Sequence, residues 1–113
     1  MKKTIIGLAA AATIAGCALT ADELAGRGTH HTRTFTRAPI ETAVCVQRNI
    51  QNAALPYVAT FRDDTQQLIV RRASGDAGTV AVMSVRTGSP TDIWVLPYMT
   101  SQERFLEELL NGC

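Results

Sequence analysis

The chain has no lysine beyond its third residue. Lys2 and Lys3 are the only lysines, and every other basic side chain is one of nine arginines, set against ten acids. All nine arginines and all ten acids lie after residue 17, so that part carries a formal charge near −1 (nine minus ten). Such a balance excludes the electrostatic footprint of a nucleic-acid-binding domain and a polybasic patch for anionic lipid. The short pairs Arg71-Arg72, Asp63-Asp64 and Glu107-Glu108 read as solvated surface charge. Catalytic signatures are missing as well. There is no G-x-S-x-G nucleophile motif, no H-E-x-x-H zinc motif and no phosphate-cradling loop. Residues 39–113 contain no histidine, and their acids fall mostly in predicted turns or on the outer face of the last predicted helix. Asp63-Asp64 would need further calcium ligands that the sequence does not display. The expectation is a protein without catalysis, resident metal or cofactor. A Cys-x-x-Cys pair is also lacking, which argues against redox chemistry. No apolar run approaches the roughly 20 residues of a bilayer-spanning helix.

What is there begins at the N-terminus. Met1-Lys2-Lys3 is a positive start, Thr4-Ile5-Ile6-Gly7-Leu8 and an alanine-rich run follow, and the segment ends Ile14-Ala15-Gly16-Cys17. This is the n-region, h-region and small-residue cut site of an export signal, here residues 1–16. Its last four residues resemble the lipobox of bacterial lipoproteins, whose usual form is Leu, Ala or Ser, Gly or Ala, then Cys. Ile14 stands where Leu is commonest; branched aliphatics are accepted there. The resemblance covers the first seventeen residues. It implies that Cys17 receives a diacylglyceryl group, that a dedicated peptidase recognises Ile14, Ala15 and Gly16 and cuts before Cys17, and that the new amine is acylated. No other cofactor is implied. Ala18, where Asp favours inner-membrane retention, implies delivery to the outer membrane of a Gram-negative host. An ordinary secretory signal followed by a chance cysteine is the competing reading. Two or three acyl chains are what a durable anchor requires, since a single chain holds only reversibly.

With Cys17 assigned to lipid, the odd count of three cysteines becomes one pair, Cys45 and Cys113, in an oxidising compartment. An intramolecular bridge would tie the start of a small domain to its last residue. The alternatives are free or intermolecular thiols, or metal or redox chemistry.

At 113 residues there is room for one domain. Residues 17–38 read as a lipidated N-terminus and flexible tether, polar and glycine-containing, with a random-coil span of roughly 25 Å. The alternation Thr32, Thr34, Thr36 leaves open an added edge strand. His30-His31 reads as linker polarity, with opportunistic metal binding as the alternative. Residues 39–113 form the domain. Pro39 suits a first helical position, and Ile40, Ala43, Val44, Ile50 and Ala54 recur at helical spacing. Strands are expected at 56–62, 67–72, 79–86 and 92–98, joined by turn clusters short enough to favour an antiparallel meander. Thr100 and Glu103 have capping-box spacing, and Phe105, Leu106, Leu109 and Leu110 form an apolar stripe.

The expected fold class is α+β: a two-layer α-β-β-β-β-α sandwich with a four-stranded antiparallel meander and two helices on one face. The third of these strands is apolar on both faces, so the second face should be partly covered. Met83 and Trp94 read as core packing, with an exposed apolar patch for a partner as the alternative. The expected role is a small lipid-anchored envelope protein facing the periplasm. It would act as a non-catalytic protein-binding or assembly module, using its sheet face or edge on an envelope protein, with no nucleic-acid partner. The competing role is a small-ligand carrier or sensor with a pocket between helices and sheet, lined by residues such as Tyr57, Trp94 and Leu109.

Overall fold

The period-two alternation of the sequence sets the layers of the structure. The computed structural model describes residues 20–73 and 78–113. Its elements are α1 (Ala21–Leu24), β1 (Thr29–Thr34), α2 (Pro39–Asn52), β2 (Tyr57–Arg62), β3 (Gln67–Arg72), β4 (Thr79–Ser84), β5 (Pro90–Val95) and α3 (Gln102–Leu110). Among the described residues these are three helices and one five-stranded antiparallel sheet, in the order β1-β5-β4-β3-β2. The meander β2 to β5 is present. The expected four strands and two helices become five and three, because residues 20–38 are not a plain tether. They supply α1 and β1, and β1 pairs along its whole length with β5, Thr29 opposite Val95 and Thr34 opposite Pro90.

Register puts side chains in transverse rows. One row runs His31, Ile93, Met83, Leu68, Phe61, and another Thr29, Val95, Ala81, Val70, Ala59. Both face the α2–α3 layer, where Val46, Ile50, Phe105, Leu106 and Leu109 complete the core. Tyr57 meets Phe105 edge to face, with ring centroids 5.2 Å apart, a geometry aromatic pairs favour. Met83 is fully buried here, as the core-packing reading expects, and the surface-patch alternative does not hold for it.

The opposite face carries the row His30, Trp94, Val82, Ile69, Thr60. Val82 is nevertheless buried, as is Leu24 of α1. The reason is that α1 packs across β4. A two-sided apolar strand needs two covers, and this four-residue helix is the second. Its start is held by a capping box, Glu23 N–H donating to Thr20 Oγ1 (3.2 Å) and Thr20 N–H to Glu23 Oε1 (3.0 Å). The exit from α1 passes through Gly28. A Cβ at that position would stand 2.6 Å from the Val95 carbonyl oxygen and 2.9 Å from Leu24 Cδ1, so only glycine lets the chain enter β1 beneath Leu24.

Several boundaries shift from expectation: the first expected strand starts one residue late at Tyr57, and the third, expected to reach residue 86, ends at Ser84. The last strand runs Pro90–Val95 and not 92–98. Proline is tolerated at the first position of a strand, whereas Pro97 has no N–H to extend the ladder. Helix α3 begins at Gln102 behind Ser101, without a side-chain cap, so the Thr100–Glu103 box does not form.

Candidate functional site

Ile14, Ala15, Gly16, Cys17 and Ala18, the residues of the lipidation and sorting signals, lie outside the described residues. Only Ala18 and Leu19 separate Cys17 from Thr20, the first of the described residues. Among the described residues no helix is long and apolar enough to cross a membrane.

Cys45 and Cys113 are joined. Their Cα atoms are 5.8 Å apart, and the bridge links residues 68 apart in sequence. Cys45 is on the buried side of α2, which packs against α3. Cys113 is not on α3 itself, which ends at Leu110. Gly112 adopts φ 73°, a left-handed conformation open to glycine, and this turns the tail back toward α2. Asn49 of α2 secures the same turn: its Nδ2 donates to the carbonyls of Leu109 (3.0 Å) and Asn111 (2.9 Å), which the end of α3 leaves free.

The adjacent histidines of β1 are sent to opposite faces by the strand pleat. His30 stacks on Trp94 with centroids 4.4 Å apart, and its Nε2 lies 2.8 Å from Asp92 Oδ1. His31 lies toward α3. Its Nε2 donates to Gln102 Oε1 at 2.8 Å, and its Nδ1 is 3.3 Å from Glu103 Oε2. Arg33 holds the other oxygen of Glu103 at 2.9 Å. Gln102 Nε2 in turn donates to Thr29 Oγ1, Leu96 O and Met99 O. The pair is thus a polar clasp binding β1 to β5 on one side and to α3 on the other. Sequence reasoning left it as linker polarity; the signal was the alternating pattern that also permitted a strand. Among the described residues no group of three or more His, Cys, Asp or Glu side chains is arranged to hold a metal ion.

The remaining surface offers three places for recognition. Both sheet edges have a backbone carbonyl already engaged by a side chain. Gln47 Nε2 donates to Ala59 O on β2 (2.9 Å), and the Arg33 guanidinium donates to Thr32 O on β1 (2.7 Å). Such capping makes an edge a poorer template for a further strand. The outer side of α2 carries Ile40 and Val44, 55% and 43% exposed, in a shallow depression with Arg37, Glu41 and Arg48. The open part of the sheet face carries exposed Val58, Thr60, Arg62 and Arg71 beside half-buried Ile69, with half-buried Trp94 beyond the α1-covered Val82. Tyr57 and Leu109 lie on the helix side of the sheet and Trp94 on the other, so these three residues share no cavity. No protein-family model matches the chain, and no curated protein or solved structure matches it.

Proposed function

We propose that this chain is a small lipid-anchored envelope protein. Cys17 carries diacylglyceryl and N-acyl chains, Ala18 routes it to the outer membrane, and the domain faces the periplasm as a non-catalytic protein-binding or assembly module. The lipobox-like Ile14-Ala15-Gly16-Cys17 supports the anchor. The Cys45–Cys113 bridge fits an oxidising compartment, where such bonds persist.

The observation that carries the binding role is the exposed pair Ile40 and Val44. They stand one turn apart on α2, on the side away from the core, with Arg37 and Arg48 beside them. Large apolar side chains elsewhere on α2 are buried, so burial against this protein's own core does not account for the pair. An apolar centre with a charged rim is the anatomy of a protein interface. The arginines favour a partner that brings an apolar side chain bordered by carboxylates. Because both sheet edges are partly capped, α2 is a better docking element than strand addition.

A photo-crosslinking residue at Val44, in intact cells, is expected to give one stoichiometric protein adduct, and the same residue at exposed Glu107 on α3 none. No adduct at Val44, or equal adducts at both positions, would overturn the α2 assignment. The anchor is tested by Cys17→Ser, which should release or misprocess the protein; unchanged membrane association would refute lipidation.

A further inference from the structure

We propose that the sheet face bearing α1 is a lipid-facing surface, seated on the headgroup layer by the shortness of the link to Cys17. This rests on the lipid anchor proposed above. The first argument is covalent reach. Three residue steps lead from Cys17 to Thr20, and each spans at most about 3.3–3.6 Å, so the lipidated cysteine lies within roughly 11 Å of Thr20. Thr20 is the N-cap of α1, and α1 lies across β4 on the face turned away from α2 and α3. Neighbouring strands are about 4.8 Å apart, so this reach amounts to little more than two strand spacings. Whatever path the link takes, the acyl chains enter the membrane beside this face.

The second argument is the chemistry of the face. Val58 of β2 is 44% exposed, Ile69 of the neighbouring β3 is half-buried, and Arg62 and Arg71 are exposed. Trp94, half-buried on β5 with His30 stacked on it, lies on the other side of the Val82 position that α1 covers. Trp favours the membrane interface, where its amphipathic ring sits at headgroup level. Arginine can lay its stem on apolar surface while its guanidinium reaches phosphate. The acids on this side are Asp22 and Glu23 of α1, Asp64 and Asp92. Glu23 is engaged in the capping box, Asp64 lies 3.9 Å from Arg62 and Asp92 holds His30, while Asp22 is exposed at the first turn of α1 with no basic side chain within ion-pair distance among the described residues. Arg71 has no carboxylate within ion-pair distance among the described residues. Two arginines would not hold a free protein on a membrane. The anchor makes their contact intramolecular, and a weak surface then suffices. In this pose the Ile40–Val44 side of α2 points away from the lipid and toward a partner.

Trp94 is the only tryptophan, which makes it the reporter. The lipidated protein is reconstituted into vesicles of phosphatidylethanolamine and phosphatidylglycerol carrying a spin label near the headgroup. Trp94 fluorescence is expected to be quenched several-fold more strongly than in the Cys17→Ser protein added to the same vesicles. The double variant Arg62→Glu, Arg71→Glu, with its circular dichroism unchanged, should lose most of that quenching. Protein that floats with the vesicles while Trp94 stays unquenched would refute the seating and leave the anchor standing. Absence of the diacylglyceryl mass on Cys17 would refute both. Quenching indifferent to charge reversal would overturn the role of the arginines. A protein adduct, in place of a lipid adduct, from a photo-crosslinker at Val58 in intact cells would overturn the lipid assignment.

Discussion

Opening the Cys45–Cys113 bridge should cost about 4 kcal/mol, most of it through the unfolded chain. The bridge closes a loop across 68 residues, and in the chain-entropy model that closure corresponds to about 4 kcal/mol at 25 °C. A small domain has only about 5–10 kcal/mol in total. At roughly 4–8 °C per kcal/mol for a domain of this size, the melting temperature should fall by about 15–30 °C. The folded state should change little, because other contacts hold the two ends. Asn49 still donates to Leu109 and Asn111, and α2 still packs on α3. The denatured chain, by contrast, expands and exposes more surface, so the urea m-value should rise. Urea unfolding followed by Trp94 emission would compare oxidised protein, reduced protein and Cys45→Ala/Cys113→Ala. The reduced protein matters because alanine at the buried Cys45 position removes packing as well as the bond. A loss under about 1 kcal/mol with an unchanged m-value in the reduced protein would refute the loop-closure reasoning.

The other expectations concern the segment before α2. Leu24→Ala should destabilise by about 2–5 kcal/mol, because Leu24 is fully buried; chemical denaturation reads this, and a loss under about 0.5 kcal/mol would show that α1 does not cover β4. Gly28→Ala should cost about 1–3 kcal/mol as an overpacking change, since its Cβ would stand 2.6 Å from the Val95 carbonyl oxygen; an unshifted thermal melt would contradict that geometry. His30→Ala should cost about 0.5–1 kcal/mol through lost stacking on Trp94, and it should also move the Trp94 emission to the red. A double-mutant cycle with Trp94→Leu that shows no coupling would refute a stacking contribution.

The elements that the sequence discloses are those whose own side chains make the core. The pattern Tyr57, Ala59, Phe61 identifies β2, Leu68 and Val70 identify β3, and Phe105, Leu106 and Leu109 mark the buried stripe of α3. β1 reads poorly because it contributes no apolar side chain: its six residues are Thr29, His30, His31, Thr32, Arg33 and Thr34. What holds it is a ladder to β5 and a clasp of long-range polar contacts to Asp92, Gln102 and Glu103, which local pattern cannot anticipate. The two capping-box spacings make the same point. Thr20–Glu23 and Thr100–Glu103 are identical in spacing, yet only the first forms. At the second, Glu103 is taken by Arg33 and His31, so tertiary contacts outcompete a local cap. The bridge was legible because arithmetic on three cysteines leaves one pair once Cys17 is set aside. The exposed pair on α2 was not, since Ile40 and Val44 have the same helical spacing as residues that enter the core; only packing distinguishes them.

The polar segment after Cys17 therefore has a structural duty that a tether would not have. Without β1, the outer edge of β5 would present unpaired N–H and C=O groups beside Ile93 and Val95, both fully buried in the folded protein. Without α1, Val82 would open to solvent. An exposed apolar edge invites association with other chains. The same residues that protect the sheet also consume length that a tether would have kept. Between Cys17 and Thr20 there are only Ala18 and Leu19. If Cys17 carries lipid as proposed, stand-off is set by two residues and not by some twenty, and that shortness is what would seat the sheet face beside α1 on the membrane with α2 outward.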